Sequence, residues 1–326
     1  MTAQEYERRR KRLMRRLGDQ AIAIVPSAAQ QLRNRDVEYA FRQDSDLLYL
    51  TRFPEPEAVA VFIPGRQQGQ YILFCRDRDE AKEIWTGRRA GPQGAVNNYG
   101  ADDAFPITDM DEILPGLLEQ RQRVCYTLGR NTEFDQRLFG WVNQIRSQIR
   151  AGHHAPHEFV SLDCVLHELR LRKSAVELGA MRKAAQISIK AHERAMRVCQ
   201  PGMREYQIEA EFLHEFRRAD AVPAYPSIVG GGANACILHY TENSEVLNDG
   251  DLLLLDAGAE YQGYASDITR TFPVNGRFNP AQRELYELVL SAQRAAIAQV
   301  KPGNHWNDPH EAAVKVLTKG MVELGL

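Results

Sequence analysis

The sequence predicts an α/β domain over residues 1–168 followed by an α+β domain over residues 169–326. Three observations carry this. At 326 residues the chain is long for a single core. Residues 20–150 alternate short apolar runs with turn signals and helical stretches, as strands and covering helices do. From Ser174 the texture changes to two long helical runs, a Gly-rich loop and a hairpin.

The elements follow in order. Residues 21–25, 58–63, 71–75 and 123–128 read as buried strands, the first, second and fourth stopped by Pro26, Pro64-Gly65 and Gly129. Residues 109–120 and 131–150 read as helices, and residues 158–165 as a strand. Ser174 to Glu177 is a capping box that opens a helix reaching about Val198. A second helix spans about Arg204–Arg218. Tyr225–Val229 and Cys236–Tyr240 read as extended, with Gly230–Gly232 between them. Residues 251–260 and 264–273 are two strand-like runs joined at Tyr261–Gly263, a hairpin connection. Pro280–Val300 reads as a helix. A last helix is expected with Asp308 as its N-cap and Pro309 in its first turn, presenting Val316, Leu317, Met321 and Leu324 on one face.

Composition excludes several classes. The net charge of -2 argues against a general nucleic-acid or acidic-membrane binder. The basic run Arg8–Arg12 with Arg15 and Arg16 reads as the solvated face of an N-terminal helix, with Leu13 and Leu17 turned inward. No apolar run approaches the ~20 residues of a membrane span, and no signal peptide is visible. The cysteines are Cys75, Cys125, Cys164, Cys199 and Cys236. They are odd in number, widely spaced and free of CxxC, which suits thiols packed as small hydrophobes in a reducing cytoplasm.

The chemistry concentrates in one hairpin. Asp256 ends the apolar run Leu252–Leu255, and Asp267 follows eleven residues later. Folding the hairpin about Tyr261 and Gln262 sets the two carboxylates opposite each other on one face. Carboxylates so placed repel unless a cation or proton lies between them. Hard oxygen donors favour Mn²⁺, Mg²⁺ or a similar ion. Spacing alone leaves open a second reading, a pair of turn or cap aspartates satisfied by backbone N–H groups. His239 ends a predicted strand, where it either hydrogen-bonds a substrate carbonyl or serves structure alone. His153, His154 and His157 read as a solvated loop. Gly230–Ala235 lacks the βαβ context of a dinucleotide fingerprint, and no HExxH, GxSxG or Walker A pattern occurs.

Tyr225-Pro-Ser-Ile-Val-Gly-Gly-Gly-Ala-Asn234, Ile237-Leu-His-Tyr-Thr-Glu-Asn243 and Tyr264-Ala-Ser-Asp-Ile-Thr-Arg-Thr-Phe-Pro273 closely resemble bacterial aminopeptidase P, the Xaa-Pro aminopeptidases of peptidase family M24B. Arg33–Tyr39, Phe41–Asp46, Phe53–Ala58 and Arg76–Arg89 resemble that family's N-terminal domain. The resemblance spans essentially the whole chain. It implies a creatinase/aminopeptidase P type N-terminal domain and a pita-bread catalytic domain, the latter incomplete here. It implies a site of two Mn²⁺ ions in which Asp256 and Asp267 are metal ligands and His239 is a catalytic, substrate-binding residue near the scissile carbonyl. Trp85 matches a substrate-binding tryptophan that reaches a neighbouring subunit's site, so a homo-oligomer, tetramer or dimer, is expected. The implied substrates are peptides with proline at the second position.

The family's remaining ligands, one His and two Glu, have no match; His305, His310 and Glu311 do not fit their motifs. The chain is therefore expected to be C-terminally truncated, to bind metal weakly and to be nearly inactive alone. A non-catalytic scaffold or assembly module of the same fold is the alternative. A metal-free amidinohydrolase of creatinase type is disfavoured by the retained aspartates.

Overall fold

Alternate residues of the central strands point into two different cores, and that alternation sets the architecture of the first half. The computed structural model describes residues 1–326, which divide into two compact units, Met1–Ala180 and Met181–Leu326. In chain order the first unit contains α1 (Ala3–Leu17), β1 (Ala21–Pro26), β2 (Leu32–Asn34), β3 (Val37–Glu38), α2 (Ser45–Thr51), β4 (Val59–Phe62), β5 (Tyr71–Cys75), α3 (Glu80–Thr86), α4 (Gly91–Tyr99), β6 (Asp103–Pro106), α5 (Met110–Leu118), β7 (Arg123–Cys125), α6 (Thr132–Ser147), β8 (Glu158–Val160) and α7 (Asp163–Leu171). Helix α8 (Ala175–Val198) carries the chain across the division.

Six of these strands form one mixed sheet in the order β6-β5-β4-β1-β7-β8. Ala21, Ala23 and Val25 of β1 pack with Leu13 and Leu17 of α1 and with Leu166 and Leu169 of α7. Ile22 and Ile24, one residue out of phase, pack with α5 and α6 through Leu114, Leu138 and Trp141. A period of two thus buries both faces beneath helices. The expected strand over 158–165 ends at Val160. Leu162 and Leu166 belong to the core beneath α7, so their apolar character comes from a helix and its cap.

The basic run departs from expectation. Leu13 and Leu17 are buried as predicted, but so are Arg9 and Arg10, which are 1% and 7% exposed. Arg9 pairs with Glu5 and Glu177 and lies over the Tyr49 ring. Arg10 donates to the carbonyls of Leu50 and Gly100 and lies over Tyr71. The cysteines divide similarly: Cys75 and Cys125 are buried, while Cys164 and Cys236 are exposed.

The second unit continues with α9 (Glu205–Arg218), β9 (Val222–Pro223), β10 (Ile228–Gly231), β11 (Leu252–Ala257), β12 (Ala259–Tyr261), β13 (Tyr264–Ala265), β14 (Ile268–Pro273), α10 (Pro280–Gln299) and α11 (Asp308–Glu323). Strands β10-β11-β14 form one antiparallel sheet and β13-β12-β9 another. Leu253, Leu255 and Ala257 pack with α8 and α9 residues such as Ile187 and Phe212. Leu252, Leu254 and Asp256 occupy the alternate positions of β11. Helix α11 packs on α10 closely enough that a Cβ at Gly320 would stand 2.2 Å from Leu288 Cδ1. Its N-cap is Asn307, one residue before the expected Asp308. No helix is long and apolar enough to cross a membrane.

The Arg9 cluster yields a prediction. Replacing Arg9 with Ala leaves two carboxylates that are 3–4% exposed without their shared cation, and should cost about 3–5 kcal/mol in urea unfolding. Burial alone would raise the Glu5 pKa, but hydrogen bonds from Arg8 and Ser174 and the Arg9 charge hold it below its ordinary 4.5. A depressed carboxyl contributes stability above its unfolded pKa. That stability should be lost as pH falls below 4.5 toward the folded value, and the loss should be smaller in Arg9→Ala.

Candidate metal and substrate site

The hairpin that carries both aspartates turns at Gln262-Gly263. Both have positive φ, 52° and 81°, the requirement of a two-residue type I′ turn. Tyr261 pairs with Tyr264 and Asp256 with Thr269. The expected fold about Tyr261 and Gln262 was one residue out at the turn, so Asp256 does not face Asp267 directly. Register places Asp267 opposite Gly258, between the paired segments, and Asp256 diagonal to it. The shift is two positions, so both carboxylates keep the same face.

Gly258 makes this crossing possible. A Cβ there would lie 1.7 Å from the Ser266 carbonyl oxygen. The backbones come together where the hairpin passes from one sheet into the other. Ser188 Oγ accepts from the Ala259 N–H at 2.8 Å and is itself 2.8 Å from Ser266 Oγ. Behind Asp256, His192 of α8 sets its Nε2 3.2 Å from the Ala257 carbonyl, which fixes the Nε2–H tautomer. Burial pushes the His192 pKa below its ordinary 6.5, so the ring is neutral at pH 7.

Asp256 is half-buried and Asp267 exposed. The apolar run around Asp256 suggested a dry strand, yet β11 parity turns the carboxylate away from the helical core. What marks the pair is convergence. The Tyr225 hydroxyl lies 2.6 Å from Asp256 Oδ1 and 3.2 Å from Asp267 Oδ1. One phenolic proton serves one oxygen at a time. Burial, the hydrogen bond to Asp256 and the two negative charges push the Tyr225 pKa well above its ordinary 10.0.

His239 and Thr241 line the same cavity, about 430 Å³, with Tyr225, Pro226, Ile228, Asp256 and Asp267. His239 does not end a strand. After β10 the chain forms a 3-10 turn over Gly232–Cys236, and Ile237 and Leu238 are 54% and 88% exposed. His239 nevertheless lines the cavity that holds the carboxylates. Trp85 is not among the residues of this cavity. It stands on α3 of the first unit, 89% exposed beside an Ile84 that is 81% exposed. The sequence reading missed Tyr225 as a site residue. Its signal was a polar aromatic next to Pro226 at the mouth of β10. The cavity brings no group of three or more His, Cys, Asp or Glu side chains close enough to hold a metal ion together. The hard oxygens of the two aspartates are of the kind that suits a divalent ion.

The class is that of the metallopeptidases of family M24, whose profile matches residues 179–325. The aminopeptidase P N-terminal domain profile matches residues 6–126. The chain is 41% identical to the Xaa-Pro aminopeptidase of Escherichia coli K12 over 328 aligned positions, covering 100% of this chain and 74% of that protein. It is 40% identical to the Xaa-Pro aminopeptidase of Haemophilus influenzae, covering 73% of it. Among solved structures, Pseudomonas aeruginosa aminopeptidase PepP superposes with a TM-score of 0.98 at 58% identity, covering 100% of this chain and 74% of that one. Zinc-substituted E. coli aminopeptidase P in complex with product gives 0.97 at 41% identity, with the same coverage. The chain belongs to the Xaa-Pro aminopeptidase (aminopeptidase P) family, with an aminopeptidase P N-terminal domain followed by an M24 pita-bread domain.

Two outcomes follow from the geometry. Gly258→Ala should separate the Gly258 and Ser266 backbones and displace Asp267, costing at least about 2 kcal/mol of stability in chemical denaturation. Asp267→Asn should do the reverse in metal-free protein. Removing one of two converging charges should stabilise it by on the order of 1 kcal/mol in the same assay, while weakening divalent-ion affinity measured by calorimetry.

Proposed function

We propose that Asp256 and Asp267 are metal ligands, Mn²⁺ being the ion, and that His239 is a catalytic residue at the scissile carbonyl. The chain then carries part of the dinuclear centre of an aminopeptidase that releases the N-terminal residue from peptides with proline at the second position. The observation that carries this reading is the convergence of Asp256, Asp267 and His239 on one cavity. The zinc-substituted E. coli relative with bound product supports a divalent metal in that place.

When bound, the ion supplies Lewis acidity and a more acidic water. The chain's own residues do the rest. The two carboxylates would hold the ion. The exposed imidazole of His239 donates a hydrogen bond to the carbonyl oxygen, which strengthens as negative charge develops there. Pro226 and Ile228 give the cavity an apolar wall for a substrate side chain or ring. The Tyr225 phenol stays protonated and shares its hydrogen with the carboxylate pair.

Three finer readings accompany this one. The exposed Ile84–Trp85 pair supports a homo-oligomer, dimer or tetramer, in which Trp85 contacts substrate at a neighbouring subunit. The absence of disulfides supports a cytoplasmic setting. With two carboxylates as the only gathered ligands, metal binding is weak and this 326-residue polypeptide is nearly inactive alone.

Calorimetric titration with Mn²⁺ tests the site. Weak binding that disappears in Asp256→Asn and Asp267→Asn is expected. No binding by the unsubstituted chain, together with retained self-association, would instead establish the scaffold reading. Brisk Mn²⁺-dependent cleavage of an Xaa-Pro peptide by this polypeptide would contradict the weak-site reading.

A further inference from the structure

The segment that presents His239 has no strand partner of its own, yet it is held at both ends. On one side, Asn243 (φ 48°, 1% exposed) accepts from Val229 N–H at 3.0 Å and donates to the Ser227 carbonyl at 2.9 Å. Its side chain thus mimics a paired strand along β10. On the other side lies Glu205, the first residue of α9, with no exposed surface. Its Oε1 accepts from Gly231 N–H at 2.8 Å and from Asn234 Nδ2 at 3.1 Å. Its Oε2 accepts from the Tyr240 hydroxyl at 2.7 Å and from Glu245 N–H at 2.9 Å.

One carboxylate therefore ties together the start, middle and end of residues 231–245. Four donors require an ionised acceptor. Burial alone would raise the Glu205 pKa, but these hydrogen bonds hold it below its ordinary 4.5. The glycine run is part of the fit, since a Cβ at Gly231 would meet Leu247 Cδ2 at 2.6 Å, with Glu205 Oε1 at 3.6 Å. Tyr240 is buried while its neighbours His239 and Thr241 line the cavity. Holding Tyr240 inward fixes which way His239 points.

We propose that Glu205 is the positioning residue of the His239 segment, acting through Tyr240 to aim the imidazole at the Asp256/Asp267 cavity. The inference rests on the reading of His239 as the residue at the scissile carbonyl. Glu205 itself does not line that cavity, so its role is to position rather than to catalyse.

The test is NMR of the full 326-residue chain, metal-free and then with Mn²⁺ alone. In Glu205→Gln an amide donor replaces one acceptor oxygen. The His239 Hε1 signal should shift and broaden, and amides of 231–245 should exchange at least about tenfold faster. The buried His192 of the same unit should keep its signal. Tyr240→Phe should move His239 in the same direction while Gly231 and Glu245 remain protected. An unchanged His239 signal in folded Glu205→Gln would overturn the proposal. So would an equal disturbance of His192, which would make Glu205 a general fold residue. Mn²⁺ should broaden His239 in the unsubstituted protein. Its failure to do so would remove the metal reading but leave the metal-free comparison decisive for Glu205.

Discussion

The second unit depends on one backbone contact that only glycine allows. At Gly258 the hairpin leaves one sheet for another, and the Ser266 carbonyl occupies the space a Cβ would need. Without that crossing, the register running from Leu252–Pro273 pairing to Tyr261–Tyr264 pairing would continue as one flat ribbon. With it, Asp267 sits at the break, where its own strand pairing is interrupted, and its side chain is free to meet Asp256 and Tyr225. The break has a cost in ladder hydrogen bonds. Ser188 and Ser266 compensate by supplying hydroxyls to the Ala259 amide. Local irregularity of this kind is where sheets re-aim functional side chains.

The pair of carboxylates is a liability that the surroundings moderate rather than remove. Parity keeps Asp256 off the helical core, so neither carboxylate bears the full expense of burial. A single phenolic hydrogen stands between them. From behind, His192 is held neutral and hydrogen-bonds the Ala257 carbonyl, so the strand is braced without adding a cation to the site. On the proposed reading, stability given up at the aspartates is preorganisation for a divalent ion. The first unit handles charge in the opposite way, surrounding Arg9 with Glu5, Glu177 and two tyrosine rings in a dry place.

Much of this was legible from residue order, and the exceptions have physical causes. The β1, β4 and β5 runs read correctly because both sheet faces are covered, so each strand is continuously apolar. The two-domain reading and the family resemblance agree with the matched profiles and solved relatives. Arg9 and Arg10 were misplaced because a basic run looks solvated unless its distant partners are known, and Glu177 lies 168 residues away. Ile237 and Leu238 look like strand residues but are exposed, since Tyr240 and Asn243 anchor that segment through polar contacts. The hairpin turn was misplaced by one residue. Gln262-Gly263 was the better choice, because Gly meets the positive φ of the second turn position at no steric cost. Tyr225 and Glu205 left only weak traces, since their roles arise from contacts 31–42 and 26–40 residues away in sequence.

On the proposed reading, the Gly258 crossing makes Asp256 and Asp267 converge on one divalent-ion site. Crystals of the chain grown with Mn²⁺ and measured at the manganese absorption edge test it directly. Anomalous density is expected within coordination distance of both carboxylates, about 2.0–2.6 Å, in the cavity lined by Tyr225 and His239. Manganese bound elsewhere, or touching only one of the two aspartates, would contradict it.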